Sequence, residues 1–457
     1  MFSEIINTLS NWLYTYILIV LLLGAGIYFT VKTAIRVVKE PSDDKESISS
    51  FQALMVSTAS RVGTGNIAGI STAICIGGAG AMFWMWLVAI LGSASAFIES
   101  TLAQIYKRKA ADGSSYGGPA YYIQAVLKKR WLGILFAGTL IVTYMGGFNM
   151  VAAFNIADSF RAYSFYDPST TPLIIGAVLA AAFAVCIFGG SKQISKITGV
   201  LVPVMGIFYI LVSLVIIVTH LNLVPQMFAD IFTQAFDFKA IFGGFTGSAI
   251  MQGIKRGLFS NEAGVGSAPN AAASAGVSHP VKQGLVQMLS VYIDTIVICS
   301  ATAFMLLCSG IEPSTDLQGM PYVQAAVANT LGSFGTIFIT IALVLFAFTT
   351  LIGNFYYAEM GLGYICDKTP NKALLMVFRL AAALIVCFGA TMEFSVAWNT
   401  ADVLMGLMAI INLPVILILG GPAVRCMNDY LKQKKEGKNP VFKAKDIELE
   451  TKTDFWN

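Results

Sequence analysis

Two stretches of the chain place groups that bind ions and polar solutes inside otherwise apolar surroundings. The first reads Ser60, Arg61, Val62, Gly63, Thr64, Gly65, Asn66, Ile67, Ala68, Gly69. The second reads Lys255, Arg256, Gly257, Leu258, Phe259, Ser260, Asn261, Glu262, Ala263, Gly264, with Gly266 and Pro269 soon after. In hydrocarbon an unpaired backbone N–H or C=O costs several kcal/mol, so irregular backbone survives there only where protein, water or a ligand satisfies it. A helix broken at mid-span exposes free C=O groups where its first half ends and free N–H groups where its second half begins. The former attract a cation and the latter an anion. An amino acid zwitterion together with a bare sodium ion matches those two ends. The bland alternative for the first stretch is close helix packing, because Gly65 and Gly69 have the small-xxx-small spacing of packed membrane helices. Two polar breaks at matched positions favour the ligand reading. The GTGNIAG string is not a dinucleotide fingerprint, since its glycines give GxGxxxG and no strand precedes it.

The elements that must position these breaks are long apolar runs. A helix rises about 1.5 Å per residue and the hydrocarbon core is roughly 30 Å thick, so about 20 apolar residues make one span. Eleven runs qualify: Asn11 to Val31, Phe51 to Ile76, Met82 to Tyr106, Trp131 to Ala157, Pro172 to Phe188, Ile197 to Thr219, Ile241 to Ala275, Leu285 to Cys308, Phe334 to Ile365, Ala373 to Ala390 and Val396 to Gly420. The breaks fall in the second and seventh. That offset is what two repeats of five spans give, residues 51–219 and 241–422, with 11–31 as an added helix. Interrupted segments at corresponding places in two halves are the best sequence pointer to a transporter binding site. An odd number of spans per repeat also inverts the second copy relative to the first.

Composition agrees. Charged residues make up 12% of 457, against about 25% in soluble domains. With 56% apolar residues, an ordinary water-facing surface cannot be built, which excludes a soluble enzyme. The net charge of +4 is carried in short clusters without aromatic interleaving, so no nucleic-acid partner is expected. Seven cysteines without a CxxC pair read as reduced, buried small hydrophobes. Two histidines, His220 and His279, lie outside any metal motif and offer no base at membrane depth for an intramembrane hydrolase. No organic cofactor is expected.

Cytoplasmic loops are enriched in Lys and Arg. Placing Lys32, Arg36, Lys39, Lys45, Lys107 to Lys109, Lys128 to Arg130, Lys192, Lys196, Lys282, Lys368, Lys372 and the basic residues from Arg425 onward inside puts the N-terminus outside and the C-terminus in the cytoplasm. Arg161 and Lys239 then fall outside. Asp112 to Gln124 reads as an amphipathic or re-entrant segment and Gln318 to Leu331 as a short surface helix. Residues 1–425 form the membrane domain, and 426–457 a polar, loosely ordered cytoplasmic tail.

The strings FQALMVSTASRVGTGNIAG, GLFSNEAGVGSAPNAA followed by HPVKQGLVQMLSVYIDT, and FAFTTLIGNFYYAE resemble the alanine or glycine:cation symporter family along almost the whole chain. That resemblance implies an all-α integral membrane protein with a leucine-transporter-like 5+5 inverted repeat, spans two to six and seven to eleven. It implies sodium-coupled uptake of a small neutral amino acid across a bacterial or archaeal inner membrane, with a proton as the alternative ion, by a monomer. By the same resemblance the N–H groups of Thr64 and Gly65 hold the substrate carboxylate, and the Ala59 and Val62 carbonyls face sodium. The Phe346 carbonyl and the Thr349 and Thr350 hydroxyls complete that ion's ligands, and Asn66 corresponds to a ligand of a second ion in some relatives. Phe259 packs the aliphatic part of the substrate, Ser260 and Asn261 reach its polar atoms, and Ser60 receives the ammonium group. Arg61, Lys255, Arg256 and Glu262 read as gating or structural ion pairs. Glu99, Asp158, Asp294, Glu359 and Asp402 read as interhelical or loop-facing groups.

Two departures bear on the substrate. Where many relatives read NMVQ this chain ends in Ala152, and where some have Trp in the ninth span it has Asn354. Both enlarge and wet the pocket, which brings glutamine into range beside alanine and glycine. The competing reading of the same fold is a channel or a non-transporting amino acid sensor.

Overall fold

The structure is a computed structural model of the chain and describes residues 2–18, 21–22, 25, 28, 49–110, 113–237, 248–367, 370–449 and 451–456. Apolar runs that cannot give their backbone groups to water satisfy them within helices, and almost every described element is helical. Among the described residues, eight helices are long and apolar enough to cross a membrane: Ala81–Ile105, Arg130–Ala162, Thr171–Phe188, Lys196–Thr219, Pro280–Leu307, Met320–Cys366, Lys372–Gly389 and Phe394–Lys435. They coincide with the third to sixth and eighth to eleventh apolar runs. The second and seventh runs are absent from that set because each is interrupted. Part of the first run, the start of the seventh at Ile241, and Lys32, Arg36, Lys39, Lys45, Lys239 and Lys368 lie outside the described residues.

The two interrupted helices pack on longer neighbours. Ser50–Arg61 lies against Gly190–Thr219 and the long Met320–Cys366 helix, and Ala249–Asn261 lies against Ala81–Ile105. Ala81–Ile105 also packs on Pro280–Val291, where Gly284 is required by closeness: a Cβ there would stand 2.2 Å from the Thr101 hydroxyl. Three π-helical stretches surround the breaks, Gly65–Gly69, Val142–Phe148 and Tyr292–Cys299. Such π turns shift the side chains beyond them around the helix axis and concentrate at functional sites. Each of these supplies a residue to the surroundings of the paired breaks.

The Met320–Cys366 helix has non-helical backbone at Gly332, so the segment before it forms the short helix expected from Gln318 to Leu331. The expected amphipathic segment is a two-strand hairpin, Arg108–Lys109 with Ser115–Tyr116, followed by the Pro119–Leu127 helix. A further amphipathic helix, Val224–Ala235, is an addition to the elements expected from hydropathy. It buries Met227, Ile231 and Ala235, and Gln234 Oε1 accepts from the Ala79 N–H at 2.9 Å.

The last residues correct the expectation of a loosely ordered tail. Phe394–Lys435 continues well past Gly420, and the chain after it folds back with Phe442, Ile447 and Trp456 buried. Trp456 Nε1 donates to the Gln104 carbonyl at 2.8 Å, and the Phe442 N–H donates to the Ser278 carbonyl at 3.0 Å. Lys107 Nζ stands 4.6 Å from the Phe455 ring and 4.9 Å from the Trp456 ring. Overall polarity suggests a solvated segment, but a few aromatic residues at its end find an apolar seat and two cation–π contacts. Truncating a buried Trp costs roughly 3–5 kcal/mol. Trp456→Ala is therefore expected to lower the midpoint of thermal unfolding in detergent, whereas a freely solvated tail would leave it unchanged.

Candidate solute and cation site at the paired helix breaks

The first break is built by local hydrogen bonding. Ser49 caps the Ser50–Arg61 helix in a reciprocal arrangement with Gln52, and the helix stops at Val62, whose ψ is 93°. A continuous helix would use the Gly63 N–H for the Ala59 carbonyl and the Asn66 N–H for the Val62 carbonyl. Here the Gly63 N–H donates instead to Asn66 Oδ1 at 2.9 Å, and the Asn66 N–H donates to the Gly63 carbonyl at 3.3 Å. The Ala59 and Val62 carbonyls are thereby released. Both turn to the Thr350 hydroxyl, which stands 3.1 and 3.4 Å from them and 3.0 Å from the Phe346 carbonyl.

One hydroxyl proton cannot serve three carbonyls. The converging, uncharged oxygens suit a hard monovalent cation, for which half-helix C-terminal carbonyls are the usual ligands. Ala59, Val62, Phe346 and Thr350 are thus brought together. Thr349 also donates to the Phe346 carbonyl, at 2.9 Å, and its hydroxyl stands 4.0 Å from the Met205 sulfur. Gly63 is dictated by this contact, since a Cβ there would lie 2.1 Å from Thr350 Oγ1.

The second break faces the first. Ala249–Asn261 ends at Glu262, a non-glycine residue in left-handed conformation with φ 52°, a position where glycine is the cheap choice. Holding a carboxylate there at a cost in backbone strain is a mark of function. The breaks touch at several points: Asn66 Nδ2 donates to Ser260 Oγ at 3.3 Å, Ser60 Oγ donates to Glu262 Oε1 at 3.3 Å, and a Cβ on Gly65 would meet the Phe259 ring at 2.9 Å. The Phe259 ring lies between Phe148 and Trp398, with centroids 4.7 and 4.9 Å away.

Between the breaks is a cavity of about 10 Å³ lined by Ser60, Arg61, Gly63, Thr64, Gly65, Phe148, Phe259, Glu262 and Thr350. That is room for about one water-sized particle. The Phe259 and Phe148 rings fill the space a solute would need. Ser60, Thr64, Gly65 and Phe259 stand on the cavity wall as the sequence suggested; Ser260, Asn261, Ala152 and Asn354 do not. The Ser260 hydroxyl donates to the Asp294 carboxylate, and Asn261 Oδ1 accepts from the Ala263 N–H at 3.0 Å, closing the break. Ala152 is buried off that wall. Asn354 lies directly behind it: its Oδ1 accepts from Ser60 at 2.7 Å, and its Nδ2 donates to Asn149 Oδ1 at 3.0 Å. Asn66 pins both breaks, with Oδ1 engaged by Gly63 and Nδ2 donating to Asp294 Oδ1 at 2.8 Å.

The buried charges separate into two groups. Lys255 Nζ and Arg256 Nη2 share Asp402 Oδ2, at 3.0 and 2.7 Å, and Arg256 stacks on Trp398 with its guanidinium carbon 4.6 Å from the ring centre. These are the structural ion pairs expected of them. Arg61 and Glu262 instead line the cavity. Glu262 Oε2 accepts from Ser267 at 2.6 Å, and Arg61 donates to Ser290. Phe148, Glu262 and Asp294 stand at the breaks although the sequence reading gives none of them a ligand contact, taking Glu262 as gating or a structural ion pair and Asp294 as interhelical or loop-facing. Intramembrane carboxylates are functional candidates by default, and that signal points to the latter two. Nothing in the sequence points to Phe148.

Comparison with known proteins places this geometry in context. The profile of the sodium:alanine symporter family matches residues 1–444. The chain is similar to the probable sodium/glutamine symporter GlnT of Bacillus subtilis, 44% identical with 97% of this chain and 94% of that one covered. It is similar to the sodium/alanine symporter AgcS of Methanococcus maripaludis, 39% identical with 96% and 99% covered. Among solved structures, a manganese transporter of Eremococcus coleocola shares the fold with a TM-score of 0.54 at 13% identity, over 86% of this chain and 81% of that one.

Thr350→Val keeps the shape and deletes the hydroxyl on which three carbonyls converge. It is expected to raise the sodium concentration for half-maximal transport about tenfold, or ~1.4 kcal/mol, and, by leaving the released carbonyls unpaired, to lower the sodium-free thermal midpoint as well. A sodium titration of uptake decides it.

Proposed function

The chain belongs to the sodium:alanine symporter family, and from that premise we propose that it is a secondary active symporter coupling inward sodium flux to uptake of a small neutral amino acid. One observation carries this reading: two membrane helices are broken side by side, releasing the Ala59 and Val62 carbonyls onto Thr350 next to a cavity walled by the opposite break. Two solutes of opposite local demand are thus held at one place, and coupling follows if neither site is complete without the other. In this reading the chain has eleven spans, a first helix followed by two inverted repeats of five. The N-terminus is outside and the C-terminus is cytoplasmic. Rocking of one bundle against the other alternates access to the breaks.

In this reading the residues take the roles that the family resemblance implies. Backbone amides of Thr64 and Gly65 receive the substrate carboxylate at the start of the second half-helix, where the dipole favours negative charge. Ser60 and Glu262 stand opposite and take the ammonium group. Sodium occupies the oxygen cluster of Ala59, Val62, Phe346 and Thr350, with Thr349 beside it. Phe259 moves aside to admit the substrate and closes over its aliphatic part.

Within the neutral amino acids we propose glutamine as a substrate beside alanine. Support comes from the polar relay behind Ser60, where Asn354 and Asn149 offer amide donors and acceptors and where Asn149 Nδ2 is buried without a partner. A carboxamide side chain is the group that such a relay can bind. The similarity to a probable glutamine symporter points the same way.

In proteoliposomes, an inward sodium gradient is expected to drive accumulation of radiolabelled L-alanine or L-glutamine, and replacement of sodium by choline to abolish it. Equal uptake rates with and without the gradient would reject coupling and favour a channel; binding without uptake would favour a sensor. Asn354→Leu is expected to weaken glutamine competition about tenfold or more while changing alanine uptake less, the size set by one lost buried amide contact.

A further inference from the structure

The symport reading leaves one group in the cavity wall without a task. Arg61 ends the first half-helix and is 2% exposed. Its Nη1 donates to the Ser290 hydroxyl, while Nε and Nη2 have no partner. Among the described residues no carboxylate stands within ion-pair distance of it, yet its charge acts on three buried ones, Glu99, Glu262 and Asp294. Glu262 shares the cavity wall with Arg61. Asp294 is four residues, about one turn, beyond Ser290. A guanidinium buried with unmade hydrogen bonds is costly. Glu262 and Asp294 take their hydrogen bonds from Ser60, Ser267, Ser260 and Asn66 and none from Arg61, so no ion pair offsets that cost in this arrangement.

We propose that Arg61 is a resident counter-charge for the unloaded transporter, a positioning residue whose guanidinium stands off the carboxylates while a cation occupies the site and swings onto Glu262 and Asp294 once cargo has left. This rests on the symport reading. The physical reason is charge at low dielectric. Each carboxylate ionised beyond the first leaves a negative charge that Arg61 alone cannot compensate, and a bound cation reduces that excess. When cation and substrate depart, the empty protein must still close around the vacated site to return, burying those carboxylates away from water. An arginine, always charged and able to engage a carboxylate bidentately, lowers the cost of that passage. With a cation bound, like-charge repulsion and the Ser290 hydroxyl hold it back. The unpartnered Nε and Nη2 are the donors left unused in that held-back position.

The return of the empty transporter is required for net uptake but not for exchange of internal for external substrate, and this separates the proposal from a merely structural role. The test uses the full chain in proteoliposomes with radiolabelled L-glutamine and L-alanine as probes. For Arg61→Gln, sodium-driven net uptake is expected to fall about tenfold or more relative to exchange measured on the same variant with saturating sodium on both sides. Arg61→Lys, which keeps the charge, is expected to recover part of the net uptake. A proportional loss of exchange and net uptake, or unchanged net uptake, overturns the assignment. Absence of sodium-driven uptake by the unaltered chain overturns the symport reading and this assignment with it.

Ser290→Ala covers the case in which Arg61→Gln does not fold. Freed from its tether, the guanidinium competes better with the cation, so the sodium concentration for half-maximal exchange is expected to rise about threefold or more, with exchange at saturating sodium retained. An unchanged sodium dependence overturns the proposal.

Discussion

A backbone carbonyl or amide left unpaired in hydrocarbon is so expensive that a membrane helix can be interrupted only where every released group has somewhere to go. The site is the set of answers to that demand. Asn66 takes the Gly63 N–H that belonged to Ala59, and the freed Ala59 and Val62 carbonyls find Thr350. On the facing helix, Asn261 accepts from Ala263. What is left over, three carbonyls on one hydroxyl and a strained carboxylate at Glu262, is the functional remainder. The same demand explains the close packing of glycine at Gly63 and Gly65, because the partners must approach to hydrogen-bonding distance before the breaks are tolerable.

Eight of the apolar runs and the two interruptions are legible because each rests on a local property: hydropathy over about 20 residues, and glycine with charge where neither belongs. The convergence of Ala59, Val62, Phe346 and Thr350, proposed above as cation ligands, is legible only through resemblance, since no spacing rule joins residues almost three hundred positions apart. Side-chain direction is not legible. Ser260 and Asn261 sit in the break as expected yet turn to Asp294 and to the backbone, and Ala152 is buried off the wall, where Phe148 from the preceding turn stands instead. The folded tail is hidden for a related reason. A Lys-rich composition describes the average of residues 426–457, whereas Phe442, Phe455 and Trp456 act through particular partners.

The buried charges divide the labour. Lys255 and Arg256 converge on Asp402, and Arg379 pairs with Glu359 at 3.0 Å; such pairs hold one helix in register with another, and breaking one by removing a single partner is far more damaging than never having had it. Arg61, Glu262 and Asp294 are hydrogen-bonded to hydroxyls and amides instead of to one another. Neutral partners leave a charge free to respond when another charge arrives. The distinction separates scaffold from machinery without reference to any ligand.

The cavity of about 10 Å³ between the breaks changes what selectivity means for such a protein. There is no mould into which one amino acid fits and another does not. Any guest must part the stack of Phe148, Phe259 and Trp398, and bulkier guests must part it further. Preference among amino acids then reflects a contest between the elastic work of separating three rings and the hydrogen bonds gained behind them. A single aromatic replacement would reset the whole ranking, where recutting a rigid pocket would alter one preference at a time.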